Sequence, residues 1–220
     1  MNEAASSTGR RVALAGATGL VGGALLRGLL ADPAVCEVHA LVRRAALPPH
    51  PKLTTHVVDF AALPRLPDID AAYLALGTTI KAAGGREAFR AVDFDANLAV
   101  ARAAQAAGAR RIALVSAMNA NARSSVFYNR VKGELEDAVI AMNFDGLVIA
   151  RPSLLLGDRA RLGQPARRLE AISMAAAKWL NPLLPANYRA IPAEQVARAL
   201  LERTRVAHGV EIILSGAMQR

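Results

Sequence analysis

Tyr128 and Lys132 are the residues of this sequence whose types and spacing best suit proton-transfer chemistry. They stand four positions apart in the run Tyr-Asn-Arg-Val-Lys, so a helix would place both side chains on one face. A lysine ammonium beside a tyrosine stabilises the phenolate and makes the phenol a better acid at neutral pH. The pair could then donate a proton to a carbonyl oxygen, with Ser116 as a candidate to hold the same oxygen.

A glycine-rich run near the start of the chain is typical of a turn that binds phosphate. The apolar stretch 12–15 leads into glycines at positions 16, 19 and 22, and a helix-like pattern follows. Such an arrangement lets the backbone approach a pyrophosphate, and it directs the free N–H groups of the helix N-terminus towards that charge. A buried tight turn without a ligand is the alternative. The residues that we assign to dinucleotide binding here are Gly16, Thr18, Gly19, Leu20 and Val21.

The residues that end the next two strand-like runs bear on the choice of cofactor. Arg43 and Arg44 follow the second run, where an NAD-specific site would need a carboxylate for the ribose 2′-hydroxyl. Arginine at this place favours a 2′-phosphate instead, so we expect NADP(H), with NAD as the alternative. Asp59 and Phe60 close the third run, where they could frame the adenine. Asp59 could equally cap the segment that follows.

The fourth strand-like run ends in a segment that suits contact with a bound nucleotide. Leu76 is followed by Gly77, which leaves room for a ligand, and by Thr78, whose hydroxyl could meet a phosphate or a ribose. An ordinary turn would explain the same residues.

Strand-like and helix-like runs alternate along the chain, which predicts an α/β fold with a doubly wound parallel sheet. The predicted strands are 12–15, 38–42, 54–58, 72–76, 112–115, 147–150 and 211–214. The predicted helices are 20–31, 86–107, 125–142 and 193–204. Ligands of such folds bind beyond the carboxyl ends of the strands, where the candidate residues fall. We expect a single Rossmann domain over residues 10–220, with 1–9 outside it and 152–190 as a substrate-binding or lid segment.

The charge of the chain does not by itself indicate a nucleic-acid-binding protein. The 220 residues carry a formal net charge of +9, and the 27 basic residues are mostly arginines spread along the sequence. Aromatic residues make up only 4%, too few for a platform that stacks bases. The basic run 159–168 could contact a partner or a membrane, but a lid over the cleft is the simpler interpretation.

Cysteine usage and hydropathy bear on the compartment. Cys36 is the only cysteine, so an internal disulfide is excluded. The histidines lack metal-ligand spacing, and we expect no metal site. No apolar run approaches the length of a membrane span, and residues 1–9 lack a secretory pattern. We therefore expect a cytoplasmic protein without a transmembrane segment.

Five segments together carry a family resemblance: 16–22, Leu-Gly-Thr-Thr at 76–79, 89–95, Tyr128 with Lys132, and Arg151-Pro152. On these residues the chain resembles the atypical branch of the short-chain dehydrogenase/reductase superfamily. It is most similar to the oxidoreductases resembling human Tat-interactive protein, which share a Gly-Thr-Thr segment, a Val-Asp pair and a Tyr-x-x-x-Lys-Gly-Glu run. The resemblance implies a Rossmann fold with NADP(H) in the cleft and Pro152 near the nicotinamide. The catalytic places would be held by Ser116, Tyr128 and Lys132.

Two positions depart from the pattern of that family. Many relatives have an asparagine where this chain has Asp93, and the active serine often lies one or two residues beyond the position of Ser116. Ser124 and Ser125 are candidate substitutes. Two functions therefore stay open: NADP(H)-dependent reduction of a small carbonyl compound, and a non-catalytic regulatory or assembly role of an NADP(H)-binding protein. The expected partner is the small substrate, with a homodimer as an open alternative to a monomer.

Overall fold

The computed structural model describes residues 9–44, 47–156 and 185–219. The strands are β1 (Arg10–Ala15), β2 (Val35–Val42), β3 (Leu53–Val57), β4 (Ala71–Leu74), β5 (Arg111–Val115), β6 (Gly146–Arg151), β7 (Leu155–Leu156), β8 (Ile191–Pro192) and β9 (Gly209–Leu214). Seven of them form one parallel sheet in the order β3-β2-β1-β4-β5-β6-β9, whereas β7 and β8 pair with each other.

The helices that connect these strands vary widely in length. They are α1 (Leu20–Ala31), α2 (Ile80–Ala83), α3 (Arg86–Arg90), α4 (Asn97–Ala106), α5 (Phe127–Ile140), α6 (Ala193–Val206) and α7 (Ser215–Met218). A π-helical turn, Ala91–Ala96, joins α3 to α4, and a 3₁₀ turn, Ala186–Tyr188, precedes β8.

Helices cover both faces of the sheet. α1 and α6 pack on one face, where Leu25 and Leu200 are fully buried, and α4 and α5 pack on the other, where Val100 and Leu135 are fully buried. Central strands of such a sheet must be apolar on both faces, and all four residues of β4 are buried. The order of the strands reverses between β1 and β4, which opens a crevice at their carboxyl ends.

The predicted doubly wound parallel sheet is confirmed, and the ends of its elements differ from the sequence pattern by a few residues. α1 spans the predicted helix 20–31 without change, since it begins after Gly19 and ends before Asp32. The helix predicted over 86–107 contains the π-helical turn, which hydrophobic periodicity does not reveal. The pattern also does not predict β7 and β8, because strands of two residues show no alternation.

Several expectations fall outside the described residues. The structure describes only the two ends of the segment 152–190, so the basic run 159–168 and the expected lid are not covered. Residues 1–8 also lie outside the described ranges. Within those ranges, no helix is both long and apolar enough to cross a membrane.

Candidate active site

The turn between β1 and α1 is closed so tightly that two of its positions require glycine. Gly16 has a φ of +91°, and a Cβ atom there would lie 2.3 Å from the carbonyl oxygen of Ala75. A Cβ atom on Gly22 would lie 1.9 Å from the carbonyl oxygen of Gly16. The Gly19 N–H donates to that same oxygen at 2.9 Å, which completes the turn.

The first turn of α1 suits an anionic ligand. Gly19 caps the helix without a side-chain hydrogen bond, and the first turn contains no acidic residue. The first N–H groups of a helix have no partner within it, and the helix dipole favours negative charge beside them. The predicted residues Leu20 and Val21 begin the helix, and Thr18 is exposed beside it. This arrangement fits the pyrophosphate of a dinucleotide.

The residues after β2 and β3 have contrasting surroundings. Arg43 and Arg44 are exposed just beyond the carboxyl end of β2, where two guanidinium groups are available to a phosphate. Asp59 accepts a hydrogen bond from the Ala61 N–H at 2.9 Å, so its carboxylate stabilises a local turn. Phe60 packs against the buried cluster under α4. The hydrogen bond of Asp59 lies within a turn that no helix directly follows, and the contact of Asp59 and Phe60 with the adenine stays a prediction.

Lys132, one of the candidate catalytic residues, belongs to a buried ion pair. The Nζ atom of Lys132 is 2.7 Å from Oδ1 of Asp93, and their side chains are 4% and 1% exposed. The second carboxylate oxygen of Asp93 accepts the Thr78 N–H at 2.8 Å. A Cβ atom on Gly77 would be 3.5 Å from Oδ1 of Asp93 and 3.9 Å from Nζ of Lys132. The pair thus joins α5, the π-helical turn and the segment after β4.

Asn97 explains how the chain accommodates the π-helical turn that presents Asp93. Its buried Nδ2 atom lies 3.3 Å from the carbonyl oxygen of Val92 and 3.2 Å from those of Asp93 and Leu76. A π-helical turn widens the helix and disturbs its regular hydrogen bonds. The amide of Asn97 therefore ties the widened turn to the end of β4.

Ser116 belongs to a second buried network. Its hydroxyl donates to the carboxylate of Glu136 on α5, and Ser116 is only 5% exposed. Glu136 also forms an ion pair with Arg151 at the end of β6, in which Nε of Arg151 is 3.0 Å from Oε1. The hydrogen bond to Glu136 raises the pKa of the Arg151 guanidinium above its ordinary value. This network fixes the carboxyl ends of β5 and β6 against α5.

Tyr128 lines a pocket of about 320 Å³ at the same edge of the sheet. Its ring packs against Phe89, with ring centroids 5.4 Å apart. The described residues that line the pocket are Ala117, Met118, Tyr128, Pro152, Ser153, Leu154 and Tyr188. The pocket thus brings together Tyr128 and Pro152. Ser116 does not line the pocket, whereas Ala117 and Met118, which follow it in the chain, do.

A larger groove, of about 440 Å³, lies between α1 and α6. Arg27, Asp32, Leu201 and Arg205 are among its lining residues. None of the predicted site residues lines it. The pocket beside Tyr128 is therefore the one that bears on the candidate chemistry.

Four residues near the site have roles that spacing alone did not reveal. Asp93 and Glu136 are the buried partners of Lys132 and Ser116, and Tyr188 lines the pocket from a distant part of the chain. A Cβ atom on Gly133 would lie 2.1 Å from the backbone nitrogen of Ala122, so this glycine lets α5 approach the preceding loop. In the sequence, the Val-Asp pair of the family resemblance contains Asp93, and its Lys-Gly-Glu run contains Gly133. Tyr188 belongs to none of the sequence motifs described above.

The sheet order and the glycine turn define the class of this protein, a Rossmann-type dinucleotide-binding protein. A family model described as NAD(P)H-binding matches residues 16–160. The mitochondrial protein fmp52 of Aspergillus fumigatus is 42% identical over 170 residues, which cover 73% of this chain and 71% of that protein. The chain therefore belongs to the NAD(P)H-binding family, in which the fmp52 proteins are its relatives.

Solved structures agree with this fold. An oxidoreductase of the short-chain dehydrogenase/reductase family from Burkholderia thailandensis superposes with a TM-score of 0.65 at 21% identity, covering 97% of this chain and 94% of its own. The Bordetella bronchiseptica enzyme WbmH, solved with NAD⁺, gives a TM-score of 0.68 at 15% identity and covers 94% and 76%. At these identities the similarity shows a shared fold.

The fungal relatives contradict the expected cytoplasmic location. The fmp52 proteins of Aspergillus fumigatus, Emericella nidulans and Candida glabrata are all named mitochondrial. The expectation rested largely on the chain having a single cysteine, and a single cysteine fits any reducing compartment equally well. The cytoplasmic assignment is therefore wrong.

Proposed function

We propose that this protein is an NADP(H)-dependent oxidoreductase that reduces a small carbonyl compound, with Tyr128 as the proton donor. The observation that carries the proposal is the buried pair of Lys132 and Asp93. It lies one helical turn from Tyr128 on α5 and beside Gly77 at the carboxyl edge of the sheet. A charged lysine is rarely buried without a function or a partner, and here it has a partner next to a candidate acid.

The chain's own residues divide the work of such a reaction. The first N–H groups of α1 would bind the pyrophosphate, and Arg43 with Arg44 would bind a 2′-phosphate. A bound nicotinamide cofactor would supply the hydride. Tyr128 would donate its phenolic proton to the carbonyl oxygen. Lys132, held in place by Asp93, would stabilise the phenolate that remains.

The choice of NADP(H) is tested by comparing the affinities of the two reduced nucleotides. We expect calorimetry to give tighter binding of NADPH than of NADH, because each arginine can make charge-assisted hydrogen bonds to the 2′-phosphate. Changing Arg43 and Arg44 together to Ala should reduce this preference at least about tenfold. The matched control is Arg123→Ala, an exposed arginine in the loop before α5. Equal affinities in the unaltered protein would contradict the assignment.

The role of Tyr128 is tested with the variant Tyr128→Phe, which keeps the ring that packs on Phe89. We expect NADPH-dependent reduction of aldehydes and ketones to fall at least about a hundredfold, the usual effect of removing a positioned acid. NADPH affinity should change little. Activity that survives this substitution would show that another group donates the proton.

The second candidate function is a non-catalytic NADP(H)-binding protein, and one observation favours it. The Ser116 hydroxyl is bonded to Glu136 inside the protein, so it does not donate into the pocket. Tight binding of NADPH without reduction of any compound in a panel of aldehydes, ketones and quinones would support this alternative.

A further inference from the structure

We infer that the pocket beside Tyr128 takes a small, uncharged and mainly apolar carbonyl compound, and that Tyr188 supplies a second hydroxyl to it. This inference rests on the proposed function, because it names the class of substrate for the same site. Three features of the described residues carry it: the chemistry of the walls, the hydrogen bonds already made by nearby hydroxyls, and the anchoring of Tyr188.

The walls of the pocket carry no charge among the described residues. Ala117, Met118, Pro152 and Leu154 provide apolar surface. A carboxylate or phosphate placed there would lose water without meeting a cation among the described lining residues, which is unfavourable. The volume of about 320 Å³ is near the lower end of the range for small-molecule sites, about 300 to 1,000 Å³. The pocket therefore fits a compound with one ring better than a long or charged one.

Most hydroxyls near the pocket are already committed within the protein. Ser153 donates to the carbonyl oxygen of Arg189, and its Oγ atom is 2.9 Å from Oγ of Ser215. Ser116 donates to Glu136. Among the described lining residues, the phenols of Tyr128 and Tyr188 remain as side-chain donors for a ligand oxygen. The two tyrosines come from separate parts of the chain, α5 and the 3₁₀ turn.

Tyr188 stands on a turn that is held from two sides. The Gly216 N–H donates to Oδ1 of Asn187 at 3.0 Å, and Nε2 of Gln219 donates to the carbonyl oxygen of Ala186 at 3.1 Å. The next residue, Arg189, accepts the hydroxyl of Ser153. The ring of Tyr188 is 57% exposed although its backbone is fixed. A tyrosine placed in this way can pack on an apolar ligand and hydrogen-bond to its oxygen.

The charge requirement is tested with two aromatic aldehydes, benzaldehyde and 4-formylbenzoate, which differ by one para carboxylate, in NADPH-dependent reduction. We expect kcat/KM to favour benzaldehyde at least about tenfold, because none of the described lining residues offers the carboxylate a cation. Binding is measured separately by calorimetry with the alcohols, benzyl alcohol and 4-(hydroxymethyl)benzoate, so that the result does not depend on turnover. Equal or tighter binding of the carboxylated compound, or binding of neither alcohol, would overturn the inference.

The role of Tyr188 is tested with Tyr188→Phe, and Tyr73→Phe is the matched control in the core, where Tyr73 is 1% exposed. We expect Tyr188→Phe to raise KM for benzaldehyde, and to weaken benzyl alcohol binding, by about three- to tenfold through loss of one hydrogen bond. NADPH affinity should stay unchanged in both variants, and Tyr73→Phe should leave the KM for benzaldehyde unchanged. An unchanged KM and unchanged alcohol binding would exclude Tyr188 from the site. Failure of NADPH to bind, by contrast, would refute the proposed function and leave the alcohol measurements as a separate test.

Discussion

Asp93 is the residue whose environment says most about the site. Removing two charges from water is costly, and a buried pair offsets that cost only when its remaining hydrogen bonds are well placed. Here the Asp93 carboxylate meets Nζ of Lys132 with one oxygen and the Thr78 N–H with the other. The aspartate at position 93 therefore balances the charge of Lys132, and it also ties Lys132 to the segment that follows β4.

Changing Asp93 to Asn should destabilise the protein by about 3 kcal/mol, because it leaves the Lys132 charge buried without a partner. The asparagine oxygen can still accept the Thr78 N–H, but its NH2 group then faces the lysine ammonium, so the substitution removes both the charge and the hydrogen bond to Nζ of Lys132. Urea denaturation measures the change in the free energy of unfolding. Adding Lys132→Met should recover at least about 1 kcal/mol, since it removes the unpaired charge.

The control for this experiment is an exposed ion pair on the other face of the protein. The Nη1 atom of Arg203 is 3.2 Å from Oε1 of Glu211, and the side chains are 58% and 38% exposed. Glu211→Gln should change stability by less than about 1 kcal/mol. If Asp93→Asn is equally mild, or if the two substitutions at Asp93 and Lys132 are simply additive, the buried pair does not have the energetic role assigned to it.

At the scale of elements, two segments shape the site: the glycine turn before α1 and the π-helical turn before α4. The first brings the start of α1 close to the end of β1, because Gly22 lies against the carbonyl of Gly16. The second directs Asp93 towards α5 while Asn97 ties the widened turn to β4. Both turns are irregular backbone segments that are held by specific close contacts.

The glycines of α1 and its turn should respond differently to alanine. Gly22→Ala would place Cβ 1.9 Å from a backbone oxygen, so the turn must open, and we expect both the melting temperature and NADPH affinity to fall. Gly19→Ala meets its nearest atom at 3.3 Å. This is slightly tighter than ordinary contact, so we expect Gly19→Ala to lower the melting temperature much less than Gly22→Ala does, while it weakens NADPH binding because the methyl group obstructs the pyrophosphate.

Gly23→Ala is the matched control for this series, since its Cβ would make an ordinary contact of 3.5 Å. It should leave NADPH affinity unchanged and stabilise the protein by about 0.5 to 1 kcal/mol through its higher helix propensity. Differential scanning calorimetry with and without NADPH measures both quantities. Full nucleotide affinity in the Gly19 and Gly22 variants would mean that the turn is only structural.

Local patterns explain which parts of this structure could be predicted. The seven strands of the large sheet, α1 and the glycine turn can be predicted from short runs of residue types. The placement of Tyr128 and Lys132 on one helix can be predicted from their spacing of four residues. The partners of Lys132 and Ser116 depend on which elements lie side by side in space. No spacing rule connects Tyr188 with Tyr128, because their meeting depends on how β6, α7 and the 3₁₀ turn pack.

At the scale of the whole molecule, the stability of the fold depends on pH through a buried histidine on β2, next to the edge strand β3. His39 on β2 is only 3% exposed, and its Nδ1 atom lies 3.0 Å from Nε2 of His56 on β3. Its Nε2 atom is 3.4 Å from the carboxylate of Glu37. Burial lowers the pKa of His39 below its ordinary value of 6.5; Glu37 opposes this shift, and the nearby His56 and Arg11 add to it.

Because the pKa of His39 is lower in the folded protein than the ordinary value of 6.5, unfolding takes up a proton below that pH. The stability that the neutral imidazole contributes is therefore complete above pH 6.5 and is lost as the pH falls towards the folded value. We expect the free energy of unfolding, measured with urea between about pH 5 and pH 7.5, to decrease on the acid side. His39→Asn should remove most of this slope, whereas His208→Asn, at an exposed position, should keep it. A slope that His39→Asn leaves intact would assign the acid sensitivity to another group.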